Sequence, residues 1–261
     1  MSAQSEAAGP ARPATPAGNS RPAPVTSTRV VLATEPGTPG WPNEDFAAAA
    51  PGAAVLLDGA TTIPRGAATG CQHGVAWYAG ALGGTFLAAI IATPQVPLAE
   101  ALAAAIADVR ARHEATCDLT HPATPAATVT ALRAEPGGLA YLALSDSTVA
   151  ADYGPGRAPV IISTPHRAAG ADPAAAARAR TGILPLAGLR GVALLSDGAT
   201  RITDRFGLLG WPELMDVLRT AGPAELISQV RLAEASDPAA ERWSRVKLTD
   251  DATALWWPLS G

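Results

Sequence analysis

What the chain lacks narrows the field first. It has two cysteines, Cys71 and Cys117, far apart and without a Cys-x-x-Cys spacing. That argues against a disulfide framework and against a zinc site, and it fits a reducing cytoplasm. Lys and Arg number 19 against 23 Asp and Glu and cluster on no segment, so the electrostatic footprint of a nucleic-acid binder is missing. A basic start followed by an apolar core is absent from the N-terminus, and no signal peptide is expected. The apolar stretch from Phe86 to Ile91 is cut by Pro94 and Pro97 and is too short to span a bilayer. No Ser or Cys triad signature stands out. The expectation is a cytoplasmic monomer with no nucleic-acid or membrane partner.

A length of 261 residues allows one large domain with a full core. Residues 1–26 are rich in Ala and Pro with almost no large apolar side chain, and are read as a disordered tail ahead of a domain over 27–261. Val30, Val31 and Leu32 give a first strand, and the cluster from Pro36 to Pro42 a loop. Helical spacing runs over Val75–Ile91 and Leu98–His113. Short strand-like runs over 127–134, 139–145, 148–152 and 160–164 have the spacing of an antiparallel meander. Asp172 caps a short Ala-rich helix with Pro173 at its first position. Helices are expected again over Trp211–Thr220 and Ala224–Ala235, and a last strand over Ala252–Trp257. Grouped strands and grouped helices favour antiparallel sheets covered by helices over a doubly wound fold.

One phrase recurs. Val55-Leu56-Leu57-Asp58-Gly59-Ala60-Thr61 returns as Ala193-Leu194-Leu195-Ser196-Asp197-Gly198-Ala199-Thr200, with an echo in Asp250-Asp251-Ala252-Thr253. An apolar run bounded by Gly reads as a strand buried on both faces. A carboxylate at its tip needs a basic partner, N–H donors or a cation, and the Gly after it lets the backbone turn sharply. Taken alone, each Asp-Gly reads equally as a turn or cap after a strand.

Together with Asn43-Glu44-Asp45, Ala127-Thr128 and Ser145-Asp146-Ser147, these phrases form six blocks in order, with thirteen positions from Asp45 to Asp58. In this the sequence resembles the metal-dependent serine/threonine protein phosphatases of the type 2C class, over about Thr28 to Trp257. The resemblance implies an α+β fold, a four-layer α-β-β-α sandwich with two central antiparallel sheets. It also implies a cleft for two Mn²⁺ or Mg²⁺ ions and a third held more weakly. By that resemblance Asp58 bridges the two ions, and the Gly59 carbonyl binds the second. Asp197 and Asp250 complete the first, Glu44 and Asp45 hold metal-bound waters, and Asp146 binds the third. The implied reaction is hydrolysis of phosphoserine or phosphothreonine in a cytoplasmic protein by a metal-activated water, opposite a Ser/Thr kinase.

The phosphate-gripping parts differ from the family pattern. The arginine five positions before the Asp45 equivalent is Gly40 here, and Ala60, Thr61 and Thr62 replace the usual residues after Asp-Gly. Arg65, Arg201 or Lys247 is the candidate replacement for the phosphate contact, and His73 the candidate acid for the leaving group. His73 reads otherwise as a packing histidine, and Cys71 as a small buried apolar residue. The alternatives are a weak or inactive relative serving as a binding or regulatory module, and a hydrolase of a small phosphorylated metabolite.

Overall fold

The computed structural model describes residues 29–60, 69–165 and 168–259; the Ala/Pro-rich tail lies outside them. In chain order come β1 (Val31–Glu35), β2 (Phe46–Ala50), β3 (Ala53–Leu57) and the two-residue β4 (Gly59–Ala60). Helices α1 (Val75–Ala92) and α2 (Leu98–His113) follow, then β5 (Ala126–Ala127), β6 (Val129–Glu135), β7 (Gly138–Leu144), β8 (Thr148–Asp152) and β9 (Val160–Ile162). A 3-10 turn over Pro173–Arg178 leads to β10 (Arg180–Leu184) and β11 (Gly191–Leu195). The last elements are α3 (Asp197–Asp204), α4 (Trp211–Thr220), α5 (Pro223–Ser236) and β12 (Ala252–Pro258). One sheet has the order β1-β12-β11-β8-β9 and the other β10-β7-β6-β3-β2, with antiparallel pairing throughout.

The four expected layers are present, and the apolar strand runs explain them. Successive side chains of a strand point to opposite faces. Ala53, Val55 and Leu57 of β3 therefore pack with Tyr78, Leu82 and Phe86 of α1. Ala54 and Leu56 meet Val192, Leu194 and Leu255 of the opposite sheet. On the far side, Ala193, Leu195 and Trp256 pack under α3 to α5 with Leu214 and Leu226. A strand buried on both faces has no place for polar alternation. Leu56, fully buried, would lose about 2–5 kcal/mol on truncation to Ala.

Several local expectations change. Strands β6 and β7 form a hairpin in one sheet while β8 and β9 pair in the other, so the expected meander is split between layers. Asp172 does cap the 3-10 turn, accepting from the Ala174 N–H. Strand β10 went unread because it is mostly exposed and broken by Gly182, and β2 because four of its five residues are Ala. Helix α1 is long and apolar enough to cross a membrane by length and composition. Its packing on β2, β3 and α2 accounts for that composition as a core helix.

Candidate metal centre

Antiparallel register carries the predicted acids to one end of the sandwich. Phe46 pairs with Leu57, so Asp45 lies beside Asp58. In the other sheet Leu195 pairs with Ala254, setting Asp197 beside Asp250 and Asp251. The β7–β8 turn bearing Asp146 crosses between sheets at this same end, with Leu144 opposite Val129 and Thr148 opposite Leu195.

The main chain around Asp58 is clamped. Its N–H donates to Thr128 Oγ1 at 3.2 Å, and the Thr128 N–H donates back to the Asp58 carbonyl at 2.8 Å. Thr128 Oγ1 in turn shares a short hydrogen bond with Ser147 Oγ. The Gly59 N–H donates to the Glu44 carbonyl at 3.1 Å, which ties the Asn43–Asp45 segment to the site. Glycine is required after both aspartates for closeness, and a sharp turn is not the reason. A Cβ on Gly59 would stand 2.4 Å from Val75 Cγ1 and 2.5 Å from the Glu44 carbonyl oxygen, and one on Gly198 2.0 Å from that of Asp251. Neither residue has a positive φ.

The two final acids divide the work. Asp251 accepts from the Gly37 N–H at 2.7 Å and the Glu44 N–H at 2.8 Å, fastening the loop that precedes β2. Asp250 accepts from Arg201 Nη2 at 2.7 Å and from Lys247 Nζ at 2.8 Å. Arg201 also donates through Nη1 to Glu234 Oε1 at 2.9 Å, and its side chain is only 10% exposed. Asp237 holds the loop carrying Lys247, accepting from the Trp243 N–H at 3.1 Å and Arg245 Nη1 at 2.7 Å.

Electrostatics single out the centre of the cluster. Burial, then repulsion by Asp45, Asp197 and Asp250, pushes the Asp58 carboxyl well above the ordinary range. Burial, then Asp250 and Asp146, raises Asp197, with Arg201 opposing. The contact between the two carboxyls raises Asp58 and lowers Asp197. Burial also pushes Asp45 up to about 7, partly offset by the Thr253 and Ser196 hydroxyls and reinforced by Asp251 and Asp197. Both Asp45 oxygens are buried, and among the described residues neither has a hydrogen bond of normal geometry. Such mutual repulsion is relieved by protons or by a cation.

Asp146 is exposed and its Oδ1 accepts from Ser145 Oγ at 3.2 Å, on a turn where Ser145 has φ 74°. It lines two cavities: one of about 410 Å³ with Asp197, Lys247 and Asp250, and one of about 620 Å³ with Thr128, His121 and Arg110. Arg65 lies outside the described residues. His73 is placed with Trp77 and the two cysteines. The separation in sequence that argued against a disulfide or a zinc site does not keep the cysteines apart in space, since their sulfurs are neighbours. Among the described residues, Cys71, His73 and Cys117 are the trio whose ligand atoms all lie within 4.8 Å of one another. The supporting hydroxyls of Thr128 and Ser147, the Asp251 anchor and the Arg201–Glu234 pair carry no sequence signal beyond their place in the blocks.

A two-sheet sandwich with acids from both sheets converging at one end defines the architecture of a metal-dependent phosphatase. The family model of protein phosphatase 2C matches residues 38–234, and the chain belongs to that family. It is similar in structure to the Mycobacterium tuberculosis serine/threonine phosphatase PstP/Ppp, with 15% identity and TM-score 0.61 over 89% of this chain and 99% of that one. It is also similar to serine/threonine phosphatase Stp1 from Staphylococcus aureus, with 11% identity and TM-score 0.60 over 94% and 100%. A third similar structure is the catalytic domain of serine threonine protein phosphatase PstP in complex with 2 manganese ions, with 15% identity and TM-score 0.57 over 89% and 98%. Among curated proteins, none matches the chain.

Proposed function

We propose that the chain is a Mn²⁺- or Mg²⁺-dependent phosphatase that hydrolyses phosphoserine and phosphothreonine in a cytoplasmic protein, acting as a monomer opposite a Ser/Thr kinase. The observation that carries this reading is Asp45, a buried carboxylate with neither oxygen in a normal hydrogen bond among the described residues, set against Asp58 and Asp197. Acid charge held this way fits a divalent cation. The donors are all hard oxygens, which suits Mn²⁺ or Mg²⁺ and disfavours zinc, and the manganese-bound PstP domain supports the choice. Asp58, the Gly59 carbonyl, Asp197 and Asp250 would hold two ions, Glu44 and Asp45 their waters, and Asp146 a third ion. When bound, such ions supply hydroxide near neutral pH and neutralise charge developing on the phosphoryl oxygens.

The chain's own residues supply position. Thr128 and Ser147 fix the main chain at Asp58, and Arg201 with Lys247 fixes the Asp250 carboxylate. Arg201 is committed to its two acids. Lys247, paired with Asp250 but half exposed beside the smaller cavity, would be the cation that meets a phosphate. The larger cavity across Asp146 offers room for the peptide flanking the phosphoresidue.

Hydrolysis of p-nitrophenyl phosphate and of a phosphothreonine peptide with Mn²⁺ tests the reading. Manganese-dependent turnover that vanishes in Asp58→Asn and Asp197→Asn is expected. Metal binding without turnover would replace the reading with a binding module, and preference for a small phosphorylated metabolite would replace the substrate.

A further inference from the structure

Cys71, His73 and Cys117 gather at a second place, outside the carboxylate cluster. The sulfurs are 2.7 Å apart, and His73 Nδ1 stands 3.4 Å from Cys117 Sγ and 3.7 Å from Cys71 Sγ. Two loops supply them, one just ahead of α1 and one just after α2. The loops are joined by the Asp118 N–H donating to the Gly70 carbonyl at 2.7 Å and by Gln72 Nε2 donating to Thr116 Oγ1 at 3.0 Å. The His73 ring is stacked on Trp77 at 4.0 Å, with His113 edge-on at 5.8 Å, so its plane is set by packing.

A disulfide and a metal site make different demands on this surrounding. Disulfide sulfurs are neutral and weak acceptors, whereas metal-bound sulfur is a thiolate that gathers N–H donors. Donors do converge here. The His73 N–H donates to Cys71 Sγ at 3.4 Å, and the Gln72 main chain donates to the Cys117 sulfur. A disulfide would leave the imidazole nitrogen, aimed at both sulfurs, with nothing to bind. Tetrahedral zinc, with sulfur at about 2.3 Å and nitrogen at about 2.0 Å, sets sulfur and nitrogen about 3.5 Å apart. The two sulfur–nitrogen distances bracket that value, while the sulfurs would have to separate by about 1 Å to reach their own tetrahedral edge.

We propose that Cys71, His73 and Cys117 bind a thiophilic divalent ion, zinc by the chemistry of the donors, as a three-ligand site with its fourth position open. The ion would pin the loop ahead of α1 to the loop after α2. All three ligands are partly exposed, so an ion has a way in.

Cobalt(II) titrated into the full, reduced chain in excess Mg²⁺ tests the site. Thiolate-to-cobalt charge-transfer absorption should saturate at one ion per chain and be displaced by zinc. Cys117→Ser should abolish the absorption with circular dichroism unchanged. His73→Gln should weaken cobalt by more than the roughly 10- to 100-fold that loss of an outer-shell partner costs. A reduced, folded chain that gives no such absorption would overturn the site. So would a chain isolated without reductant that carries no metal and no free thiol, which would mean a disulfide. Oxygen ligands cannot produce this absorption, so its absence is distinguishable from failure of the phosphatase reading.

Discussion

The two Asp-Gly-Ala-Thr phrases are nearly the same words and fold differently. After Asp58 the chain stays extended, and Gly59 pairs with Ala127. After Ser196 it turns into α3, because the Ser196 carbonyl accepts from the Ala199 and Thr200 N–H groups while its hydroxyl accepts from the Thr253 N–H. The one inserted residue, Ser196, leaves Asp197 in the first turn of a helix, where the backbone favours negative charge. Arg201, one turn on, favours it further. Asp58 has no helix turn and no arginine beside it, and the basic group that feels its charge is the half-exposed Lys247. Register delivers both carboxylates to the same place, and local structure makes them unequal, their contact raising Asp58 and lowering Asp197.

That inequality is open to attack. The largest effect is expected at the acids themselves. Asp58→Asn and Asp197→Asn should each lower manganese-dependent turnover by more than the roughly 10- to 100-fold cost of losing an outer-shell partner. In metal-free protein at alkaline pH, Asp58→Asn should raise the melting temperature more than Asp197→Asn, since it removes the less supported charge; equal shifts would erase the distinction. Next in size, Arg201→Gln should destabilise the fold by about 3–5 kcal/mol in denaturant titration, because it strands the buried Glu234 and Asp250.

The glycines sharpen the comparison further. Gly198→Ala meets backbone at Asp251, while Gly59→Ala also meets the side chain of Val75, which has some freedom to shift. Both should cost about 1–3 kcal/mol in thermal unfolding, with Gly198→Ala the worse. The smallest effect is on pH dependence. Asp45 rises from 3.8 to about 7 in the folded protein. Between those values the native state holds a proton that the unfolded chain has lost, so metal-free stability should fall as pH rises from about 4 to about 7. Raised Asp58 and Asp197 act in the same direction. Saturating Mn²⁺ should flatten the slope; a slope of opposite sign without metal would contradict the burial of these acids.

Much of this was readable from residues. The apolar runs before Asp58 and Asp197 gave both strands, and helical spacing placed α1, α2, α4 and α5, because such patterns record which face is buried. Helix α3 is hidden because its first residues repeat the phrase that stays extended after Asp58, and contacts distant in sequence, Thr253 to Ser196 in one case and Ala127 to Gly59 in the other, distinguish them. The Cys71–Cys117 approach was hidden too. Separation along the chain says nothing about loops that α1 and α2 bring back together. Arg201 looked like a phosphate ligand because its charge is visible and its partner Glu234, on α5, is not.

Whether acids from two sheets share one cation is decided by manganese binding to the single and double variants. Asp58→Asn and Asp197→Asn should each weaken binding about as much as both together, as for groups acting as a unit. Additive losses, or an Asp197→Asn variant that binds as the unaltered chain does, would mean that the two sheets do not share an ion.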